Sequence, residues 1–421
     1  MLRSLTAGIV LAFAGSRANV ARTILSCAGI VVGVGALVLV VSASDFGQRF
    51  ATAYSEANAG RPATLEVSVF DETITDRAAF EEDLVRAGGQ DISLYQMPAA
   101  PLTIRSGDSM ISEAGFNAVD PTLGDIRRMN MLEGRWFTDA DTGSLAPVMI
   151  VNEELGAALG DLAQVQIGTD RWMDVRVIGV LEGSALDSGW YSAYLLRSPA
   201  TEELIFGSEA SDSEEEESEA EAMYTMGSAT TYQVRIDPED PAASDPWGEI
   251  FTERLESASW RWGVESQESI SSYRSDYAEM TNEAITYLSW ALMGIAVITL
   301  TTGLLGVLNV GLVTVRERRR ELATYRALGA SRFTLFVAVV MESVVVSLVA
   351  GLIAIAGCWA VLAIGATVLE AFVPLPDDIP LNIPPAGVLV GLGSAALVGL
   401  LAGIIPAMRA LGASVVAGLR E

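Results

Sequence analysis

The chain has 421 residues, and 51% of them are apolar, which gives a mean hydropathy of +0.38. This value is high for a soluble protein and predicts membrane segments. The sequence contains neither lysine nor histidine. A Walker A phosphate loop needs its lysine, and most zinc and general-base sites use histidine, so we do not expect this chain to hydrolyse ATP by itself.

The N-terminal segment, residues 1–22, intersperses arginines among apolar and small residues, a pattern typical of a helix lying on the inner membrane surface. A flexible terminus is the alternative. Residues 23–44 form the first apolar run, and we expect a retained transmembrane helix because a secretory signal has an apolar core of only roughly 7–15 residues. Gly29 and Gly33 have the small-xxx-small spacing that permits close helix contact.

The polar segment that follows, residues 45–283, predicts a mixed α/β domain outside the cytoplasm. Alternation or runs of β-branched residues predict strands, and acidic first turns predict helices. The predicted strands are residues 65–69, 148–151 and 175–180, and the predicted helices are residues 76–87 and 153–159.

Within this domain we expect a mobile acidic loop over about residues 187–231. Its centre, residues 211–219 (SDSEEEESE), is a block of like charges that cannot bury enough apolar surface to fold. A calcium site is the alternative, but the block lacks the glycine turns of a shaped calcium loop. We therefore predict no metal site.

Three further apolar runs predict three more crossings. They are residues 284–315, 333–370 and 386–408, separated by a cytoplasmic segment at 316–332 and an outer loop at 371–385, with a tail at 409–421. The second crossing is longer than a bilayer requires, which predicts an outward stalk, and Tyr287 and Trp290 suit the membrane interface. The third is also overlong, and a break is expected near Gly351 or Gly357.

The distribution of charge predicts the orientation. Residues 45–279 contain 45 acidic residues and 15 arginines, a net charge of −30, whereas the other arginines cluster beside the apolar runs at the N-terminus, in residues 316–332 and at the C-terminus. Basic residues beside membrane helices stay in the cytoplasm. The sequence thus predicts an α-helical protein of the inner (cytoplasmic) membrane with four transmembrane helices, both termini cytoplasmic and the α/β domain inserted between helices 1 and 2.

One acidic side chain, Glu342, lies inside the third apolar run. Carboxylates within membrane helices usually mark ion routes or have a partner. We expect Glu342 to lie toward the cytoplasmic end of its helix, within reach of Arg332 or of the interface; an ion route is the alternative.

The cytoplasmic segment at 316–332 (RERRRELATYRALGASR) has the pattern of a short amphipathic helix. Leu322, Tyr325 and Leu328 recur at helical spacing among arginines and glutamates. Gly329 is expected to end this helix and Ser331 to cap the next. A plain anchor on anionic lipid is the alternative, but an anchor needs only charge, whereas this segment also has an apolar stripe and defined stops.

This segment resembles the FtsX-like, MacB-like ABC transporter permeases, which have an Arg/Glu-rich stretch leading into an Ala-Leu-Gly-Ala turn before the third crossing. Other stretches are similar to the same family in its first helix, its outer core domain and its C-terminal boundary. They are residues 19–34 with GIVVGV, residues 133–139 (EGRWFTD), residues 148–151 (VMIV), residues 177–181 (VIGVL) and residues 406–410 (PAMRA).

The resemblance implies a non-catalytic permease subunit in which two permeases assemble with two cytoplasmic ABC ATPase subunits. ATP and magnesium would be bound by the ATPase, and no cofactor, metal or nucleic acid is expected on this chain. The implied coupling residues, which would contact the ATPase, are Arg316, Glu317, Arg318, Arg319, Glu321, Leu322, Tyr325, Arg326, Leu328 and Gly329.

The resemblance also implies mechanotransmission, in which ATP-driven movement of the ATPases is passed to the outer domain. The expected function is export or extraction of a hydrophobic peptide, lipoprotein or antibiotic. The alternative is an FtsX-like signalling subunit that activates an extracytoplasmic cell-wall hydrolase without transport. An extracytoplasmic adaptor, lipoprotein or hydrolase is a further expected partner, together with membrane lipid.

Overall fold

The structure, a computed structural model, describes residues 20–70, 72–107, 109–168, 171–183, 190–207, 229–329, 331–370 and 379–411. Predictions for residues 1–19, for residues 187–189 and 208–228 of the acidic loop, for the first half of the loop at 371–385 and for the tail from residue 412 lie outside these residues. The expectation of a mobile loop over about residues 187–231 is wrong for its first part and its end, because Ser192–Leu196 form a strand of the sheet, Glu202–Phe206 form a helix and a further strand begins at Thr230. The chain divides into two compact units. Among the described residues, those up to Arg49 and from Asn282 onward form the helical unit, and those within Phe50–Thr281 form the α/β unit.

The helices are numbered here in chain order within the described residues. They are α1 (Val20–Asn58), α2 (Arg77–Arg86), α3 (Leu123–Ile126), α4 (Glu153–Leu159), α5 (Glu202–Phe206), α6 (Glu249–Glu256), α7 (Ala278–Glu317), α8 (Arg319–Ala327), α9 (Arg332–Glu370) and α10 (Pro385–Leu411). Four of these, α1, α7, α9 and α10, are long and apolar enough to cross a membrane. The prediction of four membrane helices is confirmed.

The membrane helices differ in extent from the apolar runs. Helix α1 continues to Asn58, well past residue 44, and α7 begins at Ala278, before residue 284. The expectation of a break in the third crossing is wrong, because α9 is one continuous helix. Gly351 packs closely there: a Cβ on this residue would lie 2.7 Å from the Cβ of Ala395 in α10.

Glycines allow the helices of the helical unit to approach closely. A Cβ on Gly29 would lie 2.8 Å from the Cα of Gly303, and one on Gly33 would lie 2.6 Å from the Cα of Leu300, so α1 and α7 are in backbone contact. The predicted close contact at Gly29 and Gly33 is therefore confirmed. In the same way Gly399 of α10 faces the backbone of α9. Small residues at such positions gain van der Waals contact where the hydrophobic effect is absent.

The α/β unit is built on a twelve-stranded sheet in the described residues. Its strands are β1 (Thr64–Val69), β2 (Gly89–Gln96), β3 (Thr103–Ser106), β4 (Ser109–Ile111), β5 (Gly115–Val119), β6 (Met131–Gly134), β7 (Val148–Asn152), β8 (Val165–Gly168), β9 (Trp172–Leu181), β10 (Ser192–Leu196), β11 (Thr230–Ile236) and β12 (Ile270–Arg274). The spatial order is β12-β1-β11-β2-β5-β10-β7-β9-β8-β3-β4, and β6 also pairs with β9.

Most strand pairs are antiparallel, with β5 beside β10 and β7 beside β9 as parallel pairs. Strand β2 joins the two halves of the sheet, because its first residues pair with β11 and its last two pair with β5. The predicted strands at 65–69, 148–151 and 175–180 all lie within observed strands, and the predicted helices coincide with α2 and α4. The mixed α/β class of this unit is confirmed.

Candidate functional site

The candidate coupling site begins where α7 ends. The helical hydrogen-bond ladder reaches Arg318, whose backbone N–H donates to the carbonyl of Thr314 at 2.9 Å. Arg318 then leaves the helical conformation, with φ −96° and ψ 17°, and α8 begins at the next residue. The sequence predicted one amphipathic helix over residues 316–332. The structure instead places Arg316 and Glu317 at the end of α7 and a shorter helix, α8, after a one-residue turn.

Both ends of α8 are defined by local chemistry. Glu321 lies in its first turn and Arg326 in its last, the arrangement that complements the helix dipole. Gly329 adopts a φ of +96°, a left-handed conformation that ends the helix. The hydroxyl of Ser331 accepts a hydrogen bond from the backbone N–H of Thr334 at 3.1 Å and so caps α9. The predicted roles of Gly329 and Ser331 are confirmed.

Helix α8 and the turn after it present apolar side chains to the surface. Tyr325 is 44% exposed and Leu328 is 80% exposed, and the two lie three residues apart, on one side of the segment. Ala323 faces the interior of the unit, with 7% exposure. Phe333, in the first turn of α9, is also exposed. Sequence reasoning missed Phe333, although an aromatic residue two positions after the Ser331 cap was a readable signal.

Charged side chains precede this apolar surface in the chain. Arg316, Glu317, Arg320 and Glu321 are exposed, and Arg318 is half-buried. The side chains of the predicted coupling residues Arg319 and Leu322 lie outside the described part of the structure, although their backbone belongs to α8. The segment therefore combines exposed apolar side chains with exposed charged ones.

Glu342 has a different partner from the one expected. Its carboxylate accepts from the Arg318 guanidinium, with Nη1 and Oε1 3.5 Å apart. The sequence predicted Arg332 or the interface as its surroundings. That prediction was wrong about the partner, because the turn between α7 and α8 brings an arginine from a different helix to the carboxylate.

The α/β unit has two surface features of interest. Trp190, Trp247 and Trp260 are exposed, although tryptophan is usually buried. A cavity of about 100 Å³ lies between the last turns of α1, at Phe50 and Tyr54, and the sheet. Sites for drug-sized ligands occupy roughly 300–1,000 Å³, so this cavity is too small to hold such a ligand alone.

Comparison with known protein families gives two matches that together extend over most of the chain. Residues 23–246 match the MacB-like periplasmic core domain, and residues 293–415 match the FtsX-like permease C-terminal domain. The first match alone covers more than half of the chain. The second match includes α8, Gly329 and Ser331.

Two relatives are similar over nearly the whole chain. Macrolide export ATP-binding/permease protein MacB 1/2 of Paracoccus denitrificans (strain Pd 1222) is 26% identical over 97% of this chain, which spans 58% of that protein's length. The ABC transporter permease YknZ of Bacillus subtilis (strain 168) is 24% identical over 97% of both chains.

A solved structure is similar to part of the chain. The periplasmic region of MacB from Actinobacillus actinomycetemcomitans matches 52% of this chain and 92% of its own, with 15% identity and a TM-score of 0.36. The two family matches agree with the arrangement of four membrane helices and a mixed α/β unit. The chain therefore belongs to the FtsX-like, MacB-like family of ABC transporter permeases.

Proposed function

We propose that this chain is the membrane subunit of a type VII-like, mechanotransmission ABC transporter. A separate cytoplasmic ABC ATPase hydrolyses ATP, and the resulting movement of the helical unit is passed to the α/β unit. That unit then exports or extracts a hydrophobic peptide, lipoprotein or antibiotic. The proposed orientation places α8 and both termini in the cytoplasm and the α/β unit outside.

The exposed surface of α8 is the observation that supports this proposal most directly. Tyr325 and Leu328 expose apolar area on a short helix and its C-cap between two membrane helices, in a segment that also has exposed arginines and glutamates. An amphipathic helix with this pattern docks its apolar side into a groove of a partner protein. The proposed partner is the ATPase, which must contact the permease on the cytoplasmic side.

Two long helices support the transmission step. Helix α1 includes residues of both units along its length, because the division between the units falls at Arg49. Helix α7 does so as well, with the division at Asn282. Each is one continuous helix that includes residues of both units, and we propose that it passes the movement from one unit to the other.

The choice of an apolar substrate is supported by the exposed tryptophans of the α/β unit and by the names of relatives. Exposed aromatic side chains provide contact area for apolar partners. The Paracoccus relative is named a macrolide export protein. We extend this export role to the present chain as part of the proposal, together with assembly of two permease copies and an extracytoplasmic adaptor.

Reconstitution tests whether ATP is hydrolysed by a separate ATPase subunit and not by this chain. The purified chain is placed in lipid nanodiscs alone or with its cognate ABC ATPase subunit, and phosphate release is measured. We expect no hydrolysis by the chain alone, because the sequence has no lysine for a Walker A loop. We expect a stable complex whose ATPase rate differs from that of the ATPase alone.

An ATPase whose Walker A lysine is replaced by alanine serves as the control for contaminating activity. Hydrolysis by the isolated chain would contradict the proposal. So would a complete lack of binding between the chain and the ATPase.

A further inference from the structure

Glu342 lies within an apolar helix. It is ten residues from the start of α9 at Arg332, which corresponds to about 15 Å along the helix axis. The surrounding residues of the helix are apolar or small, and the helix is one of the four candidate membrane spans. A carboxylate among apolar residues of such a helix needs a partner, because an unpaired charge in apolar surroundings is costly.

Helix α10 does not supply this partner. A Cβ on Gly399 would lie 2.6 Å from the Cα of Val344, and one on Gly403 would lie 2.9 Å from the Cα of Val340, so α10 packs on the side of α9 that contains these two valines. Successive helical residues are rotated by about 100°, which places Glu342 on roughly the opposite side of α9. The carboxylate therefore points away from the α9–α10 contact.

Arg318 is the described cation that pairs with Glu342, with 3.5 Å between Nη1 and Oε1. Arg318 is also the one residue between α7 and α8. The side chains of Arg318 and Glu342 are 30% and 32% exposed, so both are largely enclosed. Arg318 also lies 3.9 Å from Glu321, but that carboxylate is exposed. The turn that sets the direction of α8 is thus linked to α9 by an ion pair.

We propose that Arg318 and Glu342 form a latch that holds the α7–α8 turn against α9. A force applied to α8 then moves α9 together with α7. Breaking the pair would leave the Glu342 carboxylate without its described partner among apolar residues, which disfavours separate movement of the two helices. The latch rests on the proposed function for its role in the transport cycle, whereas the restraint on the turn is a property of this chain alone.

The restraint is tested on the full chain in nanodiscs, without an ATPase. Cys27 and Cys358 are replaced by alanine, a nitroxide is attached at a cysteine introduced at position 328, and its mobility is recorded by electron paramagnetic resonance. We expect Glu342→Gln to increase the mobile fraction. Glu321→Gln is the matched control, because Glu321 lies near the same arginine but is exposed, and we expect no change.

Exchange of the two charges distinguishes a latch from a general packing effect. The double variant Arg318→Glu/Glu342→Arg is expected to restore the mobility of the parent, whereas each single reversal raises it. Equal spectra for the parent and Glu342→Gln would overturn the proposal, as would an equal effect of Glu321→Gln. If the double variant does not insert into the membrane, the comparison of the two glutamine variants still decides the question.

The role in transport is tested with the ATPase bound. We expect the Glu342→Gln chain to bind the ATPase and to sustain hydrolysis, but to lose most of the ATP-induced movement of the α/β unit. Full movement in this variant would refute the role of the latch. Failure of the parent chain to bind the ATPase would instead refute the proposed function and leave the mobility result intact.

Discussion

Asp141 shows how single side chains hold the α/β unit together. Its carboxylate accepts two hydrogen bonds from Arg135, at 2.6 and 2.8 Å, and further ones from the hydroxyl and the backbone N–H of Thr138. The Arg135 guanidinium, with these bonds from Thr138, holds the pKa of Asp141 well below its usual range. The carboxylate closes the turn that follows β6.

We predict that Asp141→Asn destabilises the protein by roughly 2 kcal/mol at neutral pH, because hydrogen bonds to a charged group are lost. The folded pKa is lowered, so this stability is complete above the ordinary pKa of about 3.9 and is lost as the pH falls below it. The difference between the variant and the parent should therefore shrink below about pH 4. Thermal unfolding of the full chain in detergent, followed by tryptophan fluorescence between pH 7 and pH 3, measures this difference.

Asp139→Asn is the control, since Asp139 is exposed in the same turn. Equal destabilisation by the two substitutions would show that the ion pair is not the cause. A difference that stays constant down to pH 3 would contradict the assigned pKa shift.

Local roles of single residues were predictable from the sequence, but long-range pairings were not. Gly329 acts through its own backbone, and the Ser331 hydroxyl acts on a residue three positions away, so residue type and spacing predicted both. The pairing of Glu342 with Arg318 joins residues 24 positions apart. It depends on the angle at which α7 ends and on how α9 packs, and neither can be read from residue spacing.

Helix contacts in the helical unit depend on particular glycines. Gly303 touches the backbone of Gly29, whereas Gly306, one turn later in α7, has no atom within 4 Å of the position of a Cβ. We predict that Gly303→Leu costs roughly 1–3 kcal/mol by overpacking and lowers the temperature at which the purified protein aggregates in detergent. Gly306→Leu, the matched control, should leave this temperature nearly unchanged. Size-exclusion chromatography after heating measures both, and equal sensitivity would contradict the described α1–α7 contact.

We propose that contact with the ATPase depends on the apolar side of α8. We predict that Leu328→Asp abolishes co-purification with the ATPase, because a carboxylate would have to be buried in the partner's groove. The double change Arg316→Gln/Arg320→Gln should weaken binding much less, because charges at the rim contribute modestly. Both variants should insert into the membrane normally.

The amounts of ATPase recovered with each variant decide between two roles for α8. A lipid anchor requires the reverse order, because anionic lipid is attracted by arginine and not by leucine. A greater loss with the arginine pair than with Leu328→Asp would therefore show that α8 is an anchor.

The extents of the long helices were less predictable than their number. Apolar composition predicted four membrane helices, because crossing a bilayer requires roughly 20 apolar residues. It did not predict that α1 continues to Asn58, since a change from apolar to polar residues marks the end of the apolar run and not the end of the helix. Gly351 was read as a break, but it is a contact for Ala395, and a glycine in a helix can have either role.

For the whole molecule, the sequence predicted the class and the family, but it did not predict the contacts of the candidate site. The stretches at 133–139 and 148–151 lie in the α/β unit, and residues 316–332 lie in the helical unit. The motifs on which the family resemblance rests are therefore found in both units. The one-residue turn at Arg318 and the exposure of Leu328 depend on how the helices pack against one another, and residue spacing does not reveal that packing. The identity of the substrate depends on surfaces that no motif in the chain specifies.

The central claim is that ATP use in the cytoplasm moves the α/β unit. It is tested by placing nitroxides at a cysteine introduced at Leu145, which is 99% exposed, in a complex of two permease copies with the ATPase. The distance between the two labels is measured by pulsed electron paramagnetic resonance without nucleotide and with ATP and vanadate. We predict a clear shift of the distance distribution on trapping with vanadate, and no shift with the Walker A variant of the ATPase. An unchanged distribution in a complex that continues to hydrolyse ATP would contradict mechanotransmission.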